Sequence, residues 1–239
     1  MKLYDKVAPY YDELLKQDYK SDARIYDKII RRFTKGKKLL EAGCSTGGHL
    51  LAFKELGYEV TGIDESREMI KTAKKLHPSL NVFKMKMEKL NIDDKFDAIV
   101  LLNRAVLFIE KEKEFIKLLK RFHKHLATGG VLVFDLPLHK DYFDPDKSDA
   151  HYFNNGRAEG SLIEEYDKRD DKILWSINLS IKDKGKIMRL VDNKEFLLIS
   201  VAKTISLLKS AGFKPTVFSM KGRVTRNYEQ PLIIAGKIS

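Results

Sequence analysis

Cysteine is almost absent from this 239-residue chain, which contains only Cys44. A single cysteine excludes an internal disulfide and any site built on paired thiolates, and it fits a reducing compartment. Long apolar runs are also missing, since no stretch approaches the roughly 18 residues that a membrane-spanning helix needs. The charged and aromatic start of the chain is not typical of a signal peptide. We therefore expect a cytoplasmic protein with no membrane partner.

Glutamine is scarce as well, with only Gln17 and Gln230, whereas lysine and glutamate are abundant. This combination is typical of heat-adapted proteins. The formal net charge is +11, but the lysines are spread along the chain and form no arginine-rich tract. Spread charge indicates a solvated surface more than a nucleic-acid groove. A nucleic acid is therefore an alternative partner that the sequence does not favour.

Apolar segments typical of strands alternate with amphipathic segments typical of helices through the first 137 residues. Two helical segments, at about residues 3–16 and 19–33, come first. The strand-like segments that follow are KKLLEAG, YEVTGID, LNVFKMK, FDAIVLLN and VLVFDLP. The helix before the last of them is expected to end at Gly129 and Gly130. This alternation predicts a parallel sheet covered by helices on both faces, of class α/β.

The pattern changes after Pro137. Residues 138–157 are polar and aromatic and predict a long loop, whereas β-branched stretches up to residue 199 predict antiparallel hairpins. A helix that begins after Ser200 and a closing antiparallel pair of strands complete the prediction. The sequence therefore predicts an antiparallel insertion at the place where a further βα unit would otherwise follow.

The stretch LLEAGCSTGGHLLAF, residues 39–53, places three glycines between a predicted strand and a predicted helix. Parallel sheets bind ligands beyond the carboxyl ends of their strands, and glycine lets backbone and helix N–H groups approach a ligand closely. Asp64 ends the next strand, 21 residues after Gly43. An acid at this distance is placed to accept hydrogen bonds from a ribose diol.

Two ligand classes fit this turn. Gly43-x-Ser45-x-x-Gly48 is a dinucleotide fingerprint whose second glycine is replaced, and the Cβ of Ser45 would obstruct a pyrophosphate. Glu41-x-Gly43-x-Ser45-x-Gly47 is an acid followed by a glycine loop, which suits a ligand with an amino-acid tail. The acid-first spacing favours the second class.

The stretches LLEAGCSTGGHLLAF, VTGIDES, FDAIVLLN and HLATGGVLVFDLP, in this order, resemble the class I S-adenosylmethionine-dependent methyltransferases. The resemblance covers most of the chain. It implies a seven-stranded Rossmann-like methyltransferase sheet with helices on both faces, an antiparallel β insertion after the fifth strand, and S-adenosyl-L-methionine as cofactor. The insertion and the YYDELLKQDY start are similar to small-molecule N-methyltransferases, including amino-sugar N,N-dimethyltransferases.

The resemblance also implies a set of cofactor-binding positions. Their shared place is the carboxyl edge of the sheet: the glycine loop for the methionine end, Asp64 for the ribose, and the end of the third strand for adenine. The implied residues are Tyr19, Glu41, Gly43, Cys44, Ser45, Gly47, Asp64, Glu65, Met69, Met87, Glu88 and Asn103. Lys86 departs from the family, which often has an aspartate there, and a lysine cannot accept a hydrogen bond from adenine.

Methyl transfer needs alignment of the reacting atoms more than acid–base chemistry. Tyr11 and Tyr19 on the N-terminal helices, together with His139 after the fifth strand, are the predicted catalytic residues. The predicted acceptor-binding residues are Arg104, Arg157 and Trp175, although Trp175 also suits a core and the arginines also suit a surface. No ligand cluster in the sequence predicts a metal.

The predicted divisions are residues 1–34 as a helical lid, 35–140 as the cofactor-binding core, 141–199 as the loop and insertion that form the acceptor pocket, and 200–239 as the return helix and closing hairpin. The leading prediction is methyl transfer to a small-molecule acceptor, at an amine nitrogen. An RNA methyltransferase is the alternative suggested by the charge. A non-catalytic cofactor- or partner-binding subunit is the alternative suggested by Ser45 and Lys86. A monomer and a homodimer both stay open.

Overall fold

The computed structural model describes residues 2–136, 148–169, 172–220 and 230–237. Helices and strands alternate in the first range, and four strands then follow one another among the described residues. The helices are α1 (Lys2–Val7), α2 (Tyr11–Leu15), α3 (Tyr19–Ile30), α4 (Gly48–Glu55), α5 (Arg67–Leu76), α6 (Glu112–His125) and α7 (Val201–Ser210). The strands are β1 (Lys38–Ala42), β2 (Glu59–Asp64), β3 (Asn81–Lys84), β4 (Phe96–Leu101), β5 (Leu126–Asp135), β6 (Ser148–Asn154), β7 (Ala158–Arg169), β8 (Lys172–Asp183), β9 (Lys186–Leu197), β10 (Phe213–Met220) and β11 (Gln230–Lys237).

The main sheet has seven strands in the order β10-β11-β5-β4-β1-β2-β3. Strands β1 to β5 pair in parallel, and β11 pairs antiparallel with both β5 and β10. The predicted α/β class, the seven-stranded sheet and the closing antiparallel pair are confirmed. Strand β1 lies between β2 and β4, so β2 and β3 are added on one side of β1, and β4 and β5 on the other. A ligand crevice is expected at such a switch point, beyond the carboxyl ends of β1 and β4.

Hydrophobic clusters cover both faces of this sheet. Leu39 packs in the cluster that includes α3, α4 and α5, whereas its neighbour Leu40 packs in the cluster that includes α6 and α7. Successive side chains of a strand point to opposite faces, so a strand buried on both sides must be apolar at consecutive positions. This double burial explains the unbroken apolar runs of the sequence.

The insertion is a separate antiparallel sheet in the order β6-β7-β8-β9. The predicted hairpins are confirmed, but the predicted loop over residues 138–157 is wrong for its last part, where β6 pairs with β7 along its whole length. Only Phe153 of β6 is buried, so the polar residues around it concealed the strand. The turn between the two strands contains Gly156 at φ +79°.

The end of α6 also differs from the sequence-based expectation. The helix ends at His125 and not at Gly129–Gly130, because the buried Leu126 already pairs with Phe96 of β4. The register between β4 and β5 then shifts, and Gly129 adopts φ +74° inside β5. A local irregularity in the pairing accommodates the glycines within the strand.

The N-terminal segment, residues 2–30, contacts both the main sheet's loops and the insertion. A 3₁₀ turn at Ala8–Tyr10, with Pro9 at its start, separates α1 from α2 and so divides the first predicted helix. Ser66 Oγ donates to Asp5 of α1 at 2.6 Å, and the Tyr10 hydroxyl donates to Asp183 at the end of β8 at 2.7 Å. Among the described residues, none of the helices has the length and apolar character needed to span a membrane.

Candidate functional site

The glycine loop follows β1, at the point where the order of successive strands changes from one side of β1 to the other. Gly43 and Gly47 both adopt φ +86°, and a Cβ on Gly43 would lie 3.0 Å from the Cβ of Ala105. Ser45 also has a left-handed backbone, at φ +47°. Left-handed φ is uncommon for residues other than glycine and accumulates at functional sites. Ser45 therefore keeps the backbone shape that the missing glycine would have given.

Asp64, at the end of β2, is bound to this loop. Its Oδ2 accepts from the backbone N–H of Ser45 at 3.0 Å, and its Oδ1 accepts from that of Ser66 at 2.8 Å. Each carboxylate oxygen has a further lone pair, which leaves two acceptor positions for a ligand. Burial raises the pKa of Asp64 to about 6, against the opposing effect of the two backbone donors.

A second strained turn follows β4. Asn103 and Arg104 adopt φ +53° and +66°, so that three of the five described non-glycine residues with positive φ border this crevice. The backbone N–H of Arg104 donates to Asp135 at the end of β5, at 3.0 Å. Burial raises the pKa of the Asp135 carboxyl to about 6. The carboxyl ends of β1, β2, β4 and β5 thus all carry polar groups at one edge of the sheet.

A buried polar cluster lies behind the glycine loop. His49, in the first turn of α4, has its Nδ1 3.5 Å from Glu41 Oε1 and its Nε2 3.6 Å from Asp22 Oδ2. Gln17 donates to Asp22 and to Asn103, at 2.7 and 2.8 Å. Among the described residues, the buried Oε2 of Glu41 has no hydrogen-bond partner. An unsatisfied buried carboxylate oxygen is costly unless a ligand donates to it.

Tyrosines of the N-terminal segment cover the loop. The hydroxyls of Tyr19 and Thr46 both donate to Asp12 at 2.7 Å, and the Tyr11 hydroxyl lies 3.5 Å from the hydroxyl of Ser45. Burial raises the pKa of Tyr11 and of Tyr19 well above the usual tyrosine value. Both hydroxyls therefore stay protonated and can orient a ligand, but neither can serve as a base.

A cavity joins these groups. Its lining combines the glycine loop, the buried cluster, the turn after β4 and the tyrosine cover: Tyr11, Tyr19, Glu41, Gly43, Cys44, Ser45, Thr46, Gly48, His49, Leu102 and Asn103. Six of the twelve residues that the sequence assigned to a cofactor are in this set, together with the predicted catalytic Tyr11. The free Oε2 of Glu41 fits a cationic ligand group, such as the α-ammonium of an amino-acid tail.

The remaining predicted cofactor residues lie elsewhere along the same edge. Gly47 is the N-cap of α4. Glu65 lies 3.6 Å from the Lys86 ammonium, in an exposed ion pair, and Met87 and Glu88 form the 3₁₀ turn that ends at Lys89. Met69 is completely buried in a cluster that includes Leu3 and Val7 of α1. The structure therefore covers the Met69 side chain with protein.

The predicted acceptor-binding residues are not brought together. The Arg104 guanidinium contacts Asp149, Glu164 and Tyr166 of the insertion. Trp175 packs against Phe196 in the core of the insertion.

Arg157 is 70% exposed and pairs with Asp183 at 3.4 Å. His139 lies outside the described residues. Within the described ranges, no three His, Cys, Asp or Glu side chains are grouped closely enough to hold a metal ion.

Sequence reasoning missed His49, Gln17, Asp22 and Asp135. One signal was present for His49, which directly follows the last glycine of the loop. The contribution of Gln17 and Asp22 depends on how the N-terminal segment folds back, and no local pattern encodes that contact.

Gly48→Ala should loosen the tyrosine cover, because a Cβ at Gly48 would collide with the ring of Tyr19. We expect roughly 1 kcal/mol of local destabilisation and about fivefold faster hydrogen exchange in residues 11–19. The free energy of global unfolding should change by less than about 1 kcal/mol, because alanine has a higher helix propensity than glycine and offsets part of the loss. In a Tyr19→Ala background, Gly48→Ala should add nothing, and an equal added effect there would contradict the collision.

Comparison with known proteins relates this site to a known domain. Residues 39–130 match the family model described as a methyltransferase domain. The dTDP-3-amino-3,4,6-trideoxy-α-D-glucopyranose N,N-dimethyltransferase of Streptomyces venezuelae is 31% identical over 169 residues, which are 70% of this chain and 65% of that protein. The chain matches between 55% and 65% of the length of the first curated relatives.

Two solved structures share the fold. The sugar N-methyltransferase KedS8 from Streptoalloteichus superposes with a TM-score of 0.85 at 18% identity, over 96% of this chain and 91% of that one. Streptomyces venezuelae DesVI superposes with a TM-score of 0.84 at 21% identity, over 98% of both chains. At these identities the likeness concerns the fold, which agrees in the main sheet and over nearly the whole length.

Proposed function

We propose that this chain is a class I S-adenosylmethionine-dependent methyltransferase and that it methylates an amine nitrogen of a small molecule by in-line displacement. The observation that carries this proposal is the pairing, on one edge of the sheet, of the unsatisfied Glu41 oxygen with the two free acceptor positions of Asp64. An amino-acid ammonium and a ribose diol are the two ends of an adenosyl sulfonium ligand.

The residues present fit S-adenosylmethionine. Glu41 and the backbone around Gly43 would hold the methionine end, Asp64 the ribose, and the turn at Met87–Lys89 the adenine. When bound, this cofactor supplies an electrophilic methyl group on sulfur. The tyrosine hydroxyls of Tyr11 and Tyr19 stay protonated and orient the groups beneath them, and the packed N-terminal segment excludes water.

The proposed acceptor is an amino sugar carried on a nucleotide, as in the names of three curated relatives. The mouth between β4 and the insertion supports an amine, because three carboxyl groups surround Arg104: Asp149 and Glu164 lie beside its guanidinium, and Asp135 accepts from its backbone N–H. Such an acidic mouth attracts a protonated amine. With its pKa of about 6, the Asp135 carboxylate is able to take up the proton that the amine must lose before or after transfer.

The proposal is tested by binding and then by transfer. S-adenosylhomocysteine should bind the purified protein in calorimetry with one site per chain. Mass spectrometry should then detect one or two added methyl groups on a dTDP-amino sugar, and none on the corresponding sugar with a hydroxyl group at the same carbon.

Each alternative gives a different result in the same experiment. Methyl transfer to total RNA, with binding that weakens steeply as salt rises, would support an RNA methyltransferase and overturn the acceptor class. Absence of S-adenosylhomocysteine binding would support a non-catalytic subunit and overturn the proposed function.

A further inference from the structure

His49, Glu41 and Asp22 form a buried cluster behind the glycine loop, and the proposed function uses only Glu41 of the three. His49, Glu41 and Asp22 are each 5% exposed or less, and they lie on α4, β1 and α3. Three ionisable side chains buried in contact with one another need mutual compensation, because an isolated buried charge is strongly unfavourable. Their arrangement therefore has to be explained by what each group does for the others.

We propose that His49 is a positioning residue that keeps the buried Glu41 carboxylate ionised and turned toward the ammonium group of the cofactor's amino-acid end. This inference rests on the proposed function, since it deepens the account of the cofactor site. His49 itself contacts neither the ribose acid nor the turn after Met87 in the structure, and it acts through Glu41.

The geometry gives the two oxygens of Glu41 different roles. His49 Nδ1 approaches Oε1 at 3.5 Å, whereas Oε2 has no hydrogen-bond partner in the described part of the chain and belongs to a residue that lines the cavity. The opposite imidazole nitrogen lies 3.3 Å from the amide nitrogen of Gln17 and 3.6 Å from Asp22 Oδ2. The rings of Tyr19 and Tyr26 pack edge-on at centroid distances of 4.9 and 6.4 Å and restrict the tilt of the imidazole. The ring is thus fixed from four sides, and it fixes Oε1.

The charges around His49 leave room for one more cation. Glu41 and Asp22 carry two negative charges against one imidazolium, and Asp135 adds a further carboxyl in the same field. The other facing groups, Tyr19 and Tyr26, are neutral because their pKa values are raised by burial. A ligand ammonium beside Oε2 would supply the second positive charge that balances the two carboxylates. A neutral histidine could not keep both carboxylates ionised.

The titration of these groups agrees with this arrangement. Burial lowers the pKa of His49, but the hydrogen bonds and charges of Asp22 and Glu41 outweigh it and raise the pKa to about 9. Burial raises the pKa of Glu41, and His49 lowers it. Loss of the imidazolium should therefore move the Glu41 pKa upward, so that the carboxyl takes up a proton more readily as the pH falls.

His49→Asn tests the proposal through the pH dependence of S-adenosylhomocysteine binding. The ratio of the dissociation constants of variant and parent should be severalfold larger at pH 6 than at pH 8, because the Glu41 pKa rises when the imidazolium is removed. Asp64 titrates in the same range in both proteins, so the ratio cancels its contribution. Loss of the imidazolium also raises the pKa of Asp135, so the same comparison is repeated with Asp135→Asn in both proteins. A merely structural role of His49 would weaken binding by the same factor at both pH values.

His125→Asn is the matched control, because His125 is also buried in a helix but bonds only to the backbone oxygen of Arg121 among its described hydrogen-bond partners. It should leave the ratio equal at both pH values. A ratio for His49→Asn that is equal at pH 6 and pH 8 overturns the inference alone. A parent that binds no S-adenosylhomocysteine overturns the proposed function and the inference together.

NMR of the histidine ring carbons gives a readout that needs no ligand. One histidine of the parent, absent from the spectrum of His49→Asn, should titrate about two pH units above the usual histidine value near 6.5. Asp22→Asn keeps the imidazole and should move that midpoint downward. If this variant leaves the midpoint unchanged, or if the resonance of His49 titrates near 6.5 in the parent, the charge assignment is wrong.

Discussion

Asp64→Ala should weaken S-adenosylhomocysteine binding by at least about 100-fold at neutral pH. A carboxylate that accepts from two ribose hydroxyls makes two charge-assisted hydrogen bonds, each worth about 1.5–3 kcal/mol, and every 1.4 kcal/mol is tenfold in affinity. The variant also leaves the backbone N–H groups of Ser45 and Ser66 without their acceptor, so the glycine loop loses part of its preorganisation. Calorimetry measures the affinity.

Asp94→Ala is the matched control, since Asp94 precedes β4 at the opposite edge of the sheet, where it pairs with Lys38. It should bind the ligand as the parent does. For the parent, affinity should fall as the pH drops through about 6, because the Asp64 carboxyl then takes up a proton. Asp64→Asn should remove that part of the pH dependence, and an Asp64→Ala protein that binds like the parent would contradict the ribose assignment.

The strands, the glycine loop and Asp64 are predictable from the sequence because each depends on residues close together in the chain. Leu39 and Leu40 indicate a strand buried on two sides, and Gly43 indicates a turn that needs positive φ. The order of the main sheet then follows from the general behaviour of alternating βα units. Local patterns therefore determine the edge of the sheet at which the site forms.

The composition of the site depends on contacts that no local pattern contains. Gln17 reaches Asn103 across 86 positions of sequence, and Arg104 meets Tyr166 across 62. The sequence indicates that Arg104 follows β4, but only the folded insertion shows that Asp149 and Glu164 neutralise it. A guanidinium that the sequence predicted to bind the acceptor is thus engaged by protein carboxylates.

The polar composition of β6 led to the wrong prediction of a loop, because an edge strand of a sheet with one solvated face contains few apolar residues. Tyr152 is 60% exposed and Phe153 is 6% exposed, so that only one of these two aromatic residues marks the buried face. Pairing with β7 supplies the hydrogen bonds that fix the strand. The predicted loop and the observed strand β6 differ because the strand depends on long-range pairing, which the pattern of one segment cannot encode.

Arg104→Met should destabilise the fold by about 3–5 kcal/mol at pH 8, as expected when one partner of a buried ion cluster is removed. Asp149 lies 3.0 Å from one guanidinium nitrogen and Glu164 lies 3.7 Å from the other. Methionine fills similar volume but leaves Asp149 without the guanidinium and leaves Glu164 with only His151 beside it, at 3.2 Å. Urea denaturation measures the free energy of unfolding.

The loss in Arg104→Met should be smaller at pH 5 than at pH 8. A buried carboxyl group that has lost its cation is less unfavourable in its protonated form, so protons should stabilise the folded variant as the pH falls. Arg157→Met breaks an exposed ion pair with Asp183 and should cost less than about 1 kcal/mol at either pH. In Arg104→Met, Glu164→Gln should restore part of the loss, because it removes one uncompensated charge. An equal loss at both pH values would mean that Arg104 stabilises the join between β4 and the insertion by packing and not by charge.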